Sequence, residues 1–222
     1  MPADRVTRAS PIHYMLVLDD SESMTNFAKD VNAAIQLFLE ILQSKSNGGA
    51  RSYARLTVLT FGAQVNTALC EYVGERDIPH TIKTPISGRS GSTNAAAAFE
   101  YAHALLQEYP GKASDFCPYV LFLSDGAFDN EDKAVIAAEK IHALNLQAGK
   151  PRIIALGFGD ARLSALQRIA SKHNGQPMAK LMTCVADLIS LLPIIGSISV
   201  GNIETIRGAD MLDAAFIEAM TI

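Results

Sequence analysis

Tyr14-Met15-Leu16-Val17-Leu18-Asp19-Asp20-Ser21-Glu22-Ser23 is the stretch from which the rest of the chain is read. A short apolar run that breaks into acids and hydroxyls, followed from about Asn26 by an amphipathic pattern, predicts a buried strand feeding a β-to-α loop. In open α/β sheets ligands bind at that carboxyl edge. Asp19-x-Ser21-x-Ser23 sets one carboxylate and two hydroxyls in a single loop, all hard oxygen donors of the kind magnesium or manganese prefers. The loop reads as half of a metal site. Serine and aspartate are also ordinary helix caps, and Ser23 or Thr25 could serve the following helix in that way. Five residues alone do not decide between the two.

A length of 222 residues with 49% apolar content suits one sizeable core. The net charge of -4 is small, and lysines and arginines are spread along the chain, so no nucleic-acid footprint stands out. Cys70, Cys117 and Cys184 are isolated and lack a C-x-x-C pair, which points to a reducing compartment rather than a disulfide framework or zinc site. Residues 1–11 are polar, without the apolar centre of a signal peptide. The longest apolar stretch, Val185 to Val200, is broken by Asp187, Pro193 and Gly196 and too short to span a bilayer. A soluble, cytoplasmic protein is expected.

Along the chain, Val31, Ala34, Ile35, Phe38 and Leu42 predict a helix from Asn26 to about Ser44. Arg55 to Phe61 and Val65 to Cys70 predict a hairpin around Gly62-Ala63-Gln64, hence one antiparallel edge strand. After a loop over 71–91, Ala95, Ala98, Phe99, Ala102 and Leu105 predict a second helix. Tyr119 to Leu123 and Ile153 to Phe158 read as strands buried on both faces, with a helix over Glu131 to Ala148 between them. A short helix marked by Leu163, Leu166, Ile169 and Ala170 closes near Asn174-Gly175. An edge strand at Ala179 to Thr183 and a helix from about Ala186, kinked or ended at Pro193, complete an α/β, doubly wound, Rossmann-like fold with a mostly parallel sheet. Residues 201–222 lie beyond it as a C-terminal extension. Met211, Leu212, Ala215, Phe216 and Met220 form a weak amphipathic pattern there, open to docking, partner contact or mobility.

Loops at the switch point of such a sheet meet in space. Asp19 to Ser23, Gly91-Ser92-Thr93-Asn94 and Ser124-Asp125-Gly126 therefore pool two carboxylates, Asp19 and Asp125, with the hydroxyls of Ser21, Ser23 and Thr93: five oxygens for an octahedral ion. Two carboxylates about 6 Å apart repel by about 3 kcal/mol at an effective dielectric of 20, which a dication turns into attraction. Neutralised by two acids, a dication still takes an anionic oxygen. A carboxylate from another protein would complete its shell.

On these three motifs, in this order, the chain resembles the von Willebrand factor A-type domains with their metal-ion-dependent adhesion site, over about residues 12–200. The resemblance implies that Ser21, Ser23 and Thr93 bind through their hydroxyls, while Asp19 and Asp125 bind directly or through water, with a balance that changes between open and closed forms. It implies Mg2+, with Mn2+ or Ca2+ as alternatives, a protein partner donating an Asp or Glu carboxylate, and no catalysis. Gly157-Phe158-Gly159-Asp160 and Ser197-Ile198-Ser199 look like the family's structural features. Within the family, the chain looks most like intracellular bacterial members associated with tellurium resistance and with kinase or phosphatase neighbours. Glu22 stands where many members have glycine and is expected to point outward. Asp129 is expected to cap the helix after Asp125.

Other classes fit less well. Phosphoacceptor receiver domains share the acids but place a lysine where this chain has Gly157-Phe158-Gly159-Asp160. Haloacid-type phosphatases need an aspartate where Ser21 stands. Gly88-Arg89-Ser90-Gly91-Ser92 lacks the lysine of a phosphate loop, and Arg162 replaces the third glycine of a dinucleotide loop. The five histidines are scattered. A structural rival remains, in which the metal only fastens three loops and partners bind elsewhere.

Overall fold

The computed structural model describes residues 11–43, 54–73, 86–126, 128–183, 187, 188, 191 and 208–221. Strand β1 (Ile12–Asp19) is buried along its whole length because it lies between β2 (Ala54–Phe61) and β4 (Tyr119–Ser124), parallel to both. The six-stranded sheet runs β3-β2-β1-β4-β5-β8, with β3 (Val65–Val73) antiparallel at one edge and β5 (Arg152–Gly157) and β8 (Ala179–Leu181) completing the other. The expected mostly parallel sheet with one antiparallel edge is what forms.

Alternation along the central strands divides the core in two. Tyr14, Leu16, Leu18, Tyr119 and Leu121 face α1 (Ala28–Gln43) and α5 (Gly208–Thr221). Met15, Val17 and Phe122 face α2 (Ala95–Glu108), α3 (Glu131–Ala143) and α4 (Leu163–Ile169). On that second face Phe122 stacks between Phe99 and Phe61, at centroid distances of 4.9 and 5.4 Å, and meets Phe128 edge-on. Each such buried ring is worth about 3–5 kcal/mol against truncation to alanine.

Several local expectations are corrected. A 3-10 turn over Glu22–Asn26 precedes α1, which starts two residues later than its apolar period suggests. Neither Ser23 nor Thr25 caps that helix: the Ser23 hydroxyl donates to Asp125, and Thr25 Oγ1 donates to the Glu22 and Gly88 carbonyls. Leu106 rather than Leu105 is fully buried on α2. Helix α3 stops at Ala143 because Leu144 turns extended, and a turn at Leu146–Gly149, with Gly149 at φ 107°, fills the rest of the span. Asn174-Gly175 does not end a helix. Both residues have positive φ and form the tight turn joining β6 (Lys172–His173) to β7 (Gln176–Pro177), a common use of that pair.

Helix α5 packs on the sheet through Leu212, Phe216, Ala219 and Met220, and Phe216 meets Tyr119 edge-on at 4.9 Å. Leu188 and Leu191 are buried on the same face. The expected kink at Pro193, Ser197-Ile198-Ser199, Cys184 and most of the loop over 71–91 lie outside the described residues. Among the described residues no helix is long and apolar enough to cross a membrane.

Candidate metal centre

Four of the five candidate ligands lie on one hydrogen-bonded path at the carboxyl edge of the sheet. Asp19, the last residue of β1 and fully buried, accepts the Ser21 amide on Oδ1 at 2.9 Å. The Ser21 and Ser23 hydroxyls are 3.0 Å apart, and Ser23 donates to Asp125 Oδ1 at 2.8 Å. That proton being committed, Ser21 is the donor in the first pair. Thr93 is buried just before α2, and among the described residues it shares no hydrogen bond with the other four. Its loop reaches them indirectly, through Glu22 N–H on the Gly91 carbonyl at 3.1 Å.

Three further residues set this geometry. Ser124, the residue before Asp125, donates to Asp19 Oδ2 at 2.6 Å and accepts from the Gly126 amide at 3.3 Å. Asp20 is not a loose extra acid: its Oδ1 accepts the Ser87 amide and, at 2.7 Å, the Gly88 amide, pinning the second loop beside the first. Gly88 is at φ 66°, and a Cβ there would lie 2.4 Å from the Thr25 nitrogen, so both the angle and the close approach require glycine. Asp129 is not the α3 cap, a place taken by Asn130, whose Oδ1 accepts from Lys133 N–H at 2.9 Å. Instead Asp129 Oδ1 accepts the Thr93 amide, and the Asp129 amide donates to the Thr93 carbonyl, both at 3.1 Å. First loop to second, second to third and third to first, the ring of loops is closed. The three motifs announced that these loops meet; the hydrogen bonds that tie them join residues distant in sequence and leave no local signal.

Burial, more than neighbouring charge, governs the acids. Asp19 is pushed up to about 6 by desolvation, against the pull of its Ser124 and Ser21 hydrogen bonds, and Asp125 is the least of the causes. The mutual repulsion expected from the sequence is therefore secondary. Asp125, also buried, is raised as well, first by burial and then by the charge of Asp160, while Ser23 opposes. Asp160 belongs to the loop after β5, which sits on Asp125: its amide donates to the Asp125 carbonyl at 2.8 Å.

The donor set suits a hard cation. Octahedral oxygens about 2.1 Å from Mg2+ stand about 2.9 Å apart along each edge. The steps Ser21–Ser23 and Ser23–Asp125, at 3.0 and 2.8 Å, have that length. Among the described residues no group of three His, Cys, Asp or Glu side chains converges. Any ion here rests on hydroxyls as well as carboxylates, which favours Mg2+ or Mn2+ over softer binding.

Solved structures share this fold. The pilus adhesin SpaC from Lactobacillus rhamnosus GG superposes with a TM-score of 0.72 at 14% identity, over 91% of this chain and 32% of that one. Proximal thread matrix protein 1 from the mussel byssus, with a zinc-occupied MIDAS motif, gives 0.62 at 19% identity, over 86% and 47%. The manganese-loaded TRAP protein of Plasmodium vivax gives 0.59 at 16%, over 84% and 73%. The chain thus spans less than half the length of the first two. No curated protein matches it. The sequence model described as the von Willebrand factor type A domain, however, matches residues 14–127, from β1 through the third loop of the site. With that match covering half of its length, the chain belongs to the von Willebrand factor type A domain family.

Proposed function

We propose that this chain is a non-catalytic protein-interaction module that holds a divalent cation, by preference Mg2+, among Asp19, Ser21, Ser23, Thr93 and Asp125, and through it grips a carboxylate of a protein partner. The observation that carries this reading is the continuous oxygen path from Ser21 through Ser23 to Asp125, at the edge spacing of an octahedral ion. When bound, the cation would supply attraction for an anionic oxygen. The chain's own residues do the rest. Ser124 and the Ser21 amide orient Asp19, Ser23 orients Asp125, and Asp129 holds the segment that carries Thr93. Relatives of the same fold carry zinc or manganese, and SpaC is a pilus adhesin, which supports both the ion and the interaction role. The likeness to intracellular bacterial members associated with tellurium resistance suggests the setting: a cytoplasmic stress-response or kinase- and phosphatase-linked complex.

The fastening rival is weakened by the loops themselves. They are already tied by the Glu22–Gly91, Asp20–Gly88 and Thr93–Asp129 hydrogen bonds, so an ion is not needed to hold them together. Calorimetric titration of Mg2+ or Mn2+ into the protein should show one site, lost in Ser23→Ala with the circular dichroism unchanged. Partner capture from the native host should then depend on the ion and vanish in Asp19→Ala. Capture that persists while only the melting temperature falls would leave the fastening role in its place.

A further inference from the structure

We infer that the partner's carboxylate is carried on an otherwise basic surface, because the rim it must cross is acidic. This rests on the carboxylate reading above and names the kind of partner that the same site takes. Three acids around the candidate ligands are exposed. Glu22 stands between Ser21 and Ser23, Asp129 holds the Thr93 amide, and Asp160 sits on Asp125 closely enough for its charge to act there.

Asp20 adds to the three, because the Ser87 and Gly88 amides it accepts are neutral and leave its charge in place. The other charges on this edge are largely spoken for. Arg162 is paired with Glu131 at 2.6 Å. Lys29 and Asp30, at the start of α1, offset one another. Arg89 is the exposed cation of the second loop. Among the described residues, these four acids against one arginine leave the rim at -3. Asp19 and Asp125 together neutralise a bound dication, so the rim's charge is not masked by it. A partner bringing its own acid gains attraction to the ion but meets this field, and lysines or arginines beside that acid remove the conflict. Charge complementarity of this kind chiefly sets selectivity and association rate.

Two peptides identical except for lysines or glutamates flanking one central aspartate test the inference. Each is titrated with Mn2+-saturated protein, and binding is read from the broadening of the aspartate proton resonances, with Asp125→Ala protein as the control for free ion. The lysine-flanked peptide should bind about tenfold tighter at an ionic strength of about 10 mM, where charges act over about 30 Å, and lose most of that advantage at about 1 M. Its lead should also shrink in Glu22→Gln/Asp160→Asn. Equal affinities at low salt, or a preference for the glutamate-flanked peptide, overturn the inference and leave the carboxylate reading intact. If neither peptide is broadened while calorimetry shows Mn2+ seated, the carboxylate reading fails, and this inference fails with it.

Discussion

The sheet buries one aspartate at each end and treats the two in opposite ways. At the amino end Asp213 of α5, 1% exposed, takes the Arg152 Nε–H at 2.7 Å and the Tyr119 hydroxyl at 2.7 Å, with His173 at 4.0 Å. At the carboxyl end Asp19, 0% exposed, is met by Ser21 and by the Ser124 hydroxyl, with no cation beside it among the described residues. One carboxylate is neutralised by the protein's own cation. The other meets neutral donors, which offset only part of the burial that weakens its acidity. The difference marks which end is a finished structural joint and which, on the function proposed above, takes a cation from outside.

Removing the carboxylate at the finished end should do the most damage. Asp213→Ala leaves Arg152 and Tyr119 without their partner and loosens α5. We expect a loss of about 3–4 kcal/mol in urea unfolding, softened from the upper range for buried pairs because Arg152 is 23% exposed. Divalent ions should raise the melting temperature of this variant as they raise that of the wild type. If they do not, the two ends are coupled and the contrast is wrong.

The opposite sign is expected at the other end. Because Asp19 rises from 3.8 to about 6 on folding, its contribution to stability is complete below pH 3.8 and lost as the pH climbs through about 6. Holding that carboxyl so high costs the metal-free protein up to about 3 kcal/mol at neutral pH. Asp19→Asn should therefore be the more stable protein in EDTA at pH 7, with an advantage that disappears toward pH 4. Divalent ions should stabilise only the wild type. The pH series is read as the difference between the two proteins, because His13, held neutral down to about 3 by burial and Arg55, titrates alike in both. A difference that stays flat across this range would break the comparison.

Smaller effects follow from the positioning residues. Asp20→Ala frees the Ser87 and Gly88 amides and should cost about 1–2 kcal/mol, with ion affinity falling as the second loop loosens. Ser124→Ala removes a donor that favours the charged form of Asp19. It should cost about 1 kcal/mol and move the midpoint of the Asp19 titration upward, which side-chain carboxyl NMR would follow.

How far this was legible depends on the length scale of each cause. The parallel centre and antiparallel edge could be read from the uninterrupted apolar runs of β1, β4 and β5 and from the short turn at Gly62, because strand periodicity is local. The oxygen path was partly legible, since Asp19, Ser21 and Ser23 share one loop and Asp125 follows a strand end. The roles of Asp20, Asp129 and Ser124 were not, because the same side chains make ordinary caps and turns and only the fold brings their distant partners near. Asp213 left one faint mark, an acid in the same stripe as Leu212 and Phe216, but its Arg152 partner lies 61 residues away.

By itself, then, the sequence determined most of the elements, the mostly parallel sheet with its antiparallel edge and the kind of oxygen donors carried by its strand-end loops, because hydrophobic period and turn chemistry act over a few residues. Tertiary structure alone decided which acids are neutralised by a protein cation and which are not, and which loops lock one another in place. Burial and charge pairing depend on what surrounds a side chain in space, and no neighbour in the chain reports that.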